Sequence, residues 1–159
     1  MKRVVVLAAV TLAALVVRPA PAFADLTGFL GFSTTPESRS AKGVAIGVSL
    51  IVVGFEFEYS KITEEQVTGA PGLATGSGNV LFMTPTSKIQ LYGTTGAGLF
   101  HETYRSVGTT QVATNVGGGA KLAFLGPIRL RLDYRIFHLN GTPVEKRVQR
   151  FYAGLNIAF

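Results

Sequence analysis

The feature that most constrains this chain is a two-residue alternation of apolar with small or polar side chains. It recurs in blocks of about ten residues separated by turn chemistry. The last block is the clearest: Phe151, Ala153, Leu155, Ile157 and Phe159 share one parity, and Arg150, Tyr152, Gly154, Asn156 and Ala158 the other. Ile128, Leu130, Leu132, Tyr134 and Ile136 likewise alternate with Arg129, Arg131, Asp133, Arg135 and Phe137, and Val53, Phe55, Phe57 and Tyr59 with Gly54, Glu56, Glu58 and Ser60. A period of two sends successive side chains to opposite faces of a strand. The pattern predicts eight strands, near 26–34, 42–50, 53–61, 79–84, 88–103, 112–124, 128–138 and 147–159. Short connections fall near Leu50-Ile51, at Thr84-Pro85-Thr86-Ser87 and at Leu125-Gly126-Pro127. Longer ones run Thr35–Ala41, Ile62–Gly78, Tyr104–Gln111 and Leu139–Lys146. Nothing between Gly47 and Gly54 is a turn residue, so the first short turn has no fixed boundary. Alternating short and long connections are the signature of an antiparallel up-and-down transmembrane β-barrel.

The N-terminus reads as a cleaved signal peptide over 1–24, leaving 25–159 as the barrel domain. Lys2 and Arg3 precede an apolar run from Val4 to Val17, Arg18-Pro19-Ala20-Pro21 breaks it, and Ala22-Phe23-Ala24 supplies the small-x-small cleavage pattern. The run is shorter than the roughly 20 apolar residues of a spanning helix. The whole chain carries 15 Lys and Arg against 9 Asp and Glu, a net charge of +6. Removing Lys2, Arg3 and Arg18 brings it to +3. A nucleic-acid surface needs a concentrated basic stripe, so no nucleic-acid partner is expected. With no Cys in the chain, a disulfide scaffold, a Cys-zinc site and a thiol nucleophile are excluded.

An exported eight-stranded chain can also be a soluble, lipocalin-like barrel holding an apolar ligand, with its apolar parity turned inward. Here the other parity is unusually small: Gly43, Ala45, Gly47 and Ser49, then Gly96 and Gly98, then Asn115, Gly117 and Gly119. Small residues suit a cramped lumen, whereas a solvated exterior carries more Lys, Glu and Gln. The apolar parity is therefore assigned to lipid and the small polar parity to the interior.

These residues resemble a known group. Gly117-Gly118-Gly119-Ala120-Lys121 followed by Leu130-Arg131-Leu132-Asp133-Tyr134-Arg135 resembles the penultimate hairpin of the OmpA/OmpX-like "porin family" barrel domain. The stretch from Arg150 to Phe159 resembles its last strand. The resemblance implies the outer membrane of a Gram-negative-type envelope, with lipid and lipopolysaccharide as surroundings. It also implies insertion by the barrel-assembly machinery, with Tyr152, Ile157 and Phe159 as the C-terminal assembly signal. It specifies fold and assembly rather than activity, because the family spans scaffolds, adhesins and enzymes. The chain stops at Phe159, so no peptidoglycan-binding domain is expected to follow the barrel.

Parity places Glu56, Glu58, Glu102 and Asp133 inside with Lys121, Arg129, Arg131, Arg135 and Arg150. Strands three and seven face each other across an eight-strand ring, so Glu56 and Glu58 are expected to reach Arg129, Arg131 or Arg135. Unpaired charge in a low-dielectric lumen costs several kcal/mol per ion, which favours pairing. The expected outcome is a salt-bridged, largely closed lumen, with a narrow channel for small solutes as the alternative. No catalytic, cofactor or metal site is expected. His138-Leu139-Asn140 faintly resembles the His-x-Ser-Asn of lipid A deacylase barrels but lacks the nucleophilic Ser, and His101 shares the outward parity of Leu99. Both His are assigned to the interface or loops. Tyr92, Tyr104, Tyr134 and Tyr152, with the Phe residues, are expected to form the interfacial aromatic girdles. The long connections are left as surface loops with an unidentified ligand.

Overall fold

The computed structural model describes residues 22–159 except 36, 65–68 and 105–106. Eight strands form one closed antiparallel barrel: β1 (Phe23–Ser33), β2 (Arg39–Ser49), β3 (Val53–Ile62), β4 (Gly72–Met83), β5 (Ile89–Tyr104), β6 (Val107–Leu125), β7 (Ile128–Leu139) and β8 (Arg147–Ala158). Each strand pairs with its sequence neighbours, and β8 closes on β1 from Asp25↔Ala158 to Ser33↔Arg150. The expected signal peptide lies outside the described residues up to position 21. Phe23 and Ala24, its last residues by sequence, already belong to β1, where Ala24 exchanges backbone hydrogen bonds of 2.9 Å with Phe159.

Register fixes the tilt. A row of paired residues starting at Ile157 passes through Leu26, Ile46, Phe57, Gly78, Ala97, Thr114 and His138 and returns to β8 at Arg147. The row closes ten residues from where it began, so the shear is ten. For eight strands this matches the usual tilt of about 35–45°. The short turns, the start of β1 and the end of β8 lie together at one end of the barrel, called the turn end. The longer connections lie at the other, the loop end.

Alternation is kept along nearly every strand, and its direction settles inside and outside. Leu26, Leu30, Phe32, Ile46, Phe55, Phe57, Leu99, Leu132, Phe151 and Leu155 point outward and are exposed. Asp25, Glu56, Glu58, Glu102 and Asp133, all the carboxylates carried by the described strands, point inward and are buried. A soluble carrier has the reverse arrangement, so the apolar parity forms the lipid-facing wall of a transmembrane barrel.

Two strands, β4 and β6, start well before their sequence-based bounds, while β1 and β2 start slightly early. β4 begins at Gly72 rather than 79, so much of the expected Ile62–Gly78 loop is strand. Its outward residues Ala74, Gly76 and Gly78 and inward residues Thr75 and Ser77 are all small, which erases the hydropathy contrast. The ladder to Tyr59, Ser60 and Lys61 on one side and Leu99, Phe100 and His101 on the other imposes the extended form. β6 likewise starts at Val107, because Val107–Gln111 pairs with the loop end of β5. The undetermined first turn is Leu50-Ile51-Val52, closed by Leu50 N donating to Val53 O at 2.7 Å.

Glycines on the inward face let side chains meet across an intervening strand. Gly119 sits in register between Tyr92 on β5 and Asp133 on β7. A Cβ there would lie 2.7 Å from the Tyr92 hydroxyl. Gly96 stands in the same way between Asn79 and Asn115, whose side chains bond at 2.9 Å. Gly119→Val should therefore destabilise the folded barrel by about 1–3 kcal/mol, as overpacking does. Gly93→Val, whose Cβ meets nothing within 4 Å, should leave it unchanged. Urea unfolding in lipid vesicles, followed by gel mobility without boiling, compares the two; equal midpoints would refute the packing argument.

Candidate functional site: a closed, charge-balanced lumen

The interior contains three layers. Nearest the turn end, Lys121 Nζ donates to Asp25 Oδ2 at 2.7 Å, beside a small apolar cluster of Leu81, Met83 and Tyr92. The middle holds a continuous network. Arg131 pairs with Glu56 through both terminal nitrogens and reaches Asp133 Oδ2 at 3.3 Å. Arg135 binds Asp133 Oδ2 at 3.0 Å, Glu56 Oε1 at 3.3 Å and Glu58 Oε2 at 3.0 Å. Arg150 donates to Glu58 Oε1 at 2.5 Å and to Ser60 Oγ at 2.6 Å. Four carboxylates (Asp25, Glu56, Glu58, Asp133) face four cations (Lys121, Arg131, Arg135, Arg150), so these two layers carry no net charge.

Aromatic rings fill the space around the guanidinium groups. Arg131 lies 4.9 Å from the Tyr92 ring centroid and 5.7 Å from that of Tyr152. Arg150 packs against Phe29, Phe137 and Tyr152 at 5.1, 4.9 and 5.1 Å, while Phe29 and Tyr152 stack at 4.0 Å. The flat, weakly hydrated guanidinium suits such faces. Tyr92 also donates to Asp133 Oδ2 at 2.5 Å and accepts from Arg131 Nε at 2.8 Å.

Toward the loop end the charges give way to an apolar plug of Ile62, Leu73, Phe100, Phe137, Leu139 and Val148, with Ala41 and Ala113 between them. Above it, the Arg39 guanidinium donates to the Pro71 and Thr35 carbonyls, and the Val144 amide donates to Glu102 at 3.2 Å. These contacts draw three connections over the mouth.

The structure thus joins Glu56, Glu58, Arg131, Asp133, Arg135 and Arg150 in one network and sets Lys121 beside it. Two expected members stand elsewhere. Arg129 is at the turn-end mouth, 3.4 Å from Gln90 Oε1, and Glu102 is beyond the apolar plug. The reason is height: Arg129 is the second residue of β7, below Glu56, while Glu102 is two residues past Phe100. Asp25 is not in the expected set, because it falls between the Ala22-Phe23-Ala24 cleavage pattern and the first expected strand at 26. Its inward parity, shared with Thr27 and Phe29, is the signal that identifies it.

The tyrosine girdle also needs correction. Tyr92 and Tyr152 are buried in the lumen, because each shares the parity of inward neighbours: Thr94 for the first, Arg150 and Asn156 for the second. Tyr134 faces outward and donates to Gln149 Oε1 at 2.9 Å. Of the C-terminal trio, Ile157 and Phe159 are exposed while Tyr152 is inside. His101 and His138 both point outward; His101 Nδ1 lies 2.8 Å from Thr110 Oγ1, and His138 is in register with Arg147.

Removing Arg131 would leave Glu56 and Asp133 partly uncompensated. Arg131→Ala should cost about 3–5 kcal/mol, the usual penalty for breaking a buried pair from one side. It should not open a large conductance, because the apolar plug lies above the vacated space. Thermal unfolding in detergent and planar-bilayer recording test both halves; unchanged stability, or large stable currents, would refute this account of the lumen.

No family model and no curated protein sequence matches the chain. Solved structures do. Neisserial surface protein A aligns over 87% of this chain and 97% of its own, with a TM-score of 0.67 and 13% identity. Ail, the attachment invasion locus protein of Yersinia pestis, solved with the heparin analogue sucrose octasulfate, aligns over 88% and 99% with a TM-score of 0.56 and 13% identity. The outer membrane enzyme PagL aligns over 84% and 98% with a TM-score of 0.54 and 9% identity. The chain has the fold of the small eight-stranded outer-membrane barrels, a fold on which both surface proteins and an enzyme are built.

Proposed function

We propose that this chain works as a small outer-membrane barrel with a structural or surface-interaction role, its lumen serving as an internal brace rather than a passage. The observation that carries the reading is the division of side chains by parity. The strand carboxylates are inside, four of the five paired with buried cations, while the outward face is predominantly apolar around the ring. Such a chain is stable only with its outside in lipid and its backbone groups paired strand to strand. The likeness to a Neisserial surface protein and to Ail supports a role carried by the loop end. On this reading the exposed Ile157 and Phe159 belong to the strand presented to the barrel-assembly machinery, and outer-leaflet lipid, including lipopolysaccharide, surrounds the wall.

The closed interior argues for interaction over transport. A solute would have to pass the plug around Phe100 and Phe137 and the guanidinium layer beneath it. Membrane fractionation of expressing cells, with gels of boiled and unboiled samples, is the direct test. The expected result is recovery in the outer membrane with a heat-dependent mobility shift, and no large stable conductance in planar bilayers. Recovery as a soluble protein would overturn the membrane assignment. A large conductance would replace the brace with a channel.

A further inference from the structure

The outward face carries charge in one manner only. Among the described strands its charged residues are Lys42, Lys61 and Arg147, all basic, all exposed, and all in the loop-end half. Two of them are placed against each other: Lys42 on β2 is the direct cross-strand partner of Lys61 on β3. Opposed residues in an antiparallel pair hold their Cβ atoms about 4.5–5.5 Å apart, and like charges there destabilise the sheet. Among the described residues, no carboxylate forms a salt bridge with either lysine, because the strand carboxylates are inside.

A second feature lies further along the same two strands, nearer the turn end. Following β2 and β3 from the lysines toward the turn end, past Val44 and Tyr59, leads to a groove of about 720 Å³ on the lipid-facing wall. Ile46, Phe55, Phe57 and Val80 border it, and Gly78 and Ala97 form part of its floor, with open space where Gly78 would carry a Cβ. The wall is indented where β4 and β5 present small residues, and the indentation extends from β2 and β3 across to β5.

We propose that Lys42, Lys61 and this groove form one binding site for a phosphate-bearing lipid of the outer leaflet. The two ammonium groups take the headgroup phosphate and the groove takes an acyl chain. The proposal rests on the outer-membrane reading above. The charges sit at the loop-end edge of the apolar band, the level of the headgroups, and the groove lies at the level of the chains. Each half alone is ordinary; their alignment on the same two strands makes a site for an amphiphile with an anionic head.

The test uses the full-length barrel in phosphatidylcholine nanodiscs, titrated with bis-phosphorylated lipid A or with the same lipid stripped of its phosphates, bound lipid being counted by native mass spectrometry. Wild type should retain the phosphorylated form preferentially. Lys42→Gln with Lys61→Gln should bind it roughly 25-fold more weakly, at about 1 kcal/mol per basic residue near a charged membrane surface. Ala97→Phe should reduce retention by filling the groove, and Arg147→Gln, on β8, should not. Equal retention of both lipids, or equal loss in the Arg147 variant, would overturn the site and leave only nonspecific charge. Unchanged binding by Ala97→Phe would overturn the groove. A gel with and without boiling on every sample separates this from the parent reading: a variant that shifts yet binds alike refutes only this site, whereas a wild type that neither inserts nor shifts refutes the membrane barrel itself.

Discussion

In lipid a backbone amide has no water to fall back on, so the chain must satisfy its own hydrogen bonds across the membrane. Here that requirement is met by the ladder between β8 and β1, and the rest of the structure depends on it. Closing eight strands with a shear of ten fixes both tilt and width, and leaves an interior that side chains fill. Once the ring is narrow, parity becomes absolute: a residue is in the lumen or in lipid. The carboxylates of β1, β3, β5 and β7 then have no acceptable position except inside, and the cations of β6, β7 and β8 join them there.

Buried ion pairs are poor sources of stability compared with well-packed apolar side chains, because two charges must be desolvated. Their effect in this barrel is better described as fixing register. A slip of one residue along β7 would turn Arg131, Asp133 and Arg135 outward together and bring Leu130, Leu132 and Tyr134 inside. The apolar wall alone resists such a slip weakly, since lipid accepts many apolar residues alike. Charge makes the wrong register prohibitive. Arginine serves this purpose at the centre, where one planar group must satisfy several carboxylates and lie against Tyr92, Tyr152, Phe29 or Phe137. Lysine suffices at the edge, where Lys121 meets Asp25.

Much of this was legible in the alternation: eight strands, the outward apolar face, and the inward charges of β3, β7 and β8. What sequence could not supply was height. Shear displaces each strand relative to the next, so residues on facing strands meet only if the displacement matches. Glu58 reaches Arg150 as well as Arg135, while Arg129 falls below the network. The same limit hid the apolar plug, whose members come from seven strands and are joined only by ring closure. Tyr92 was misplaced for a different reason: tyrosine suits both an interface and a polar lumen, and only the gap at Gly119 shows that its hydroxyl can reach Asp133. The loop-end half of β4 was invisible because small residues on both faces carry no hydropathy contrast.

The glycines connect the two faces of the wall. Inward glycines on β2, β5 and β6 leave room for side chains of neighbouring strands: Phe29 at Gly43, Asn79 at Gly96, Arg135 at Gly117 and Tyr92 at Gly119. Outward glycines on β4 have the opposite consequence, thinning the wall beside Phe55 and Phe57. A lumen filled with neutralised charge can contribute shape, but it presents nothing to a partner. Any recognition would therefore use what remains: the loop end held by Arg39 and Glu102, and an outward strand face whose charged residues, among the described strands, are basic and lie in the loop-end half. That confinement also gives the barrel a polarity across the membrane, since a wall apolar at the turn end and basic at the loop end fits an anionic surface in one orientation.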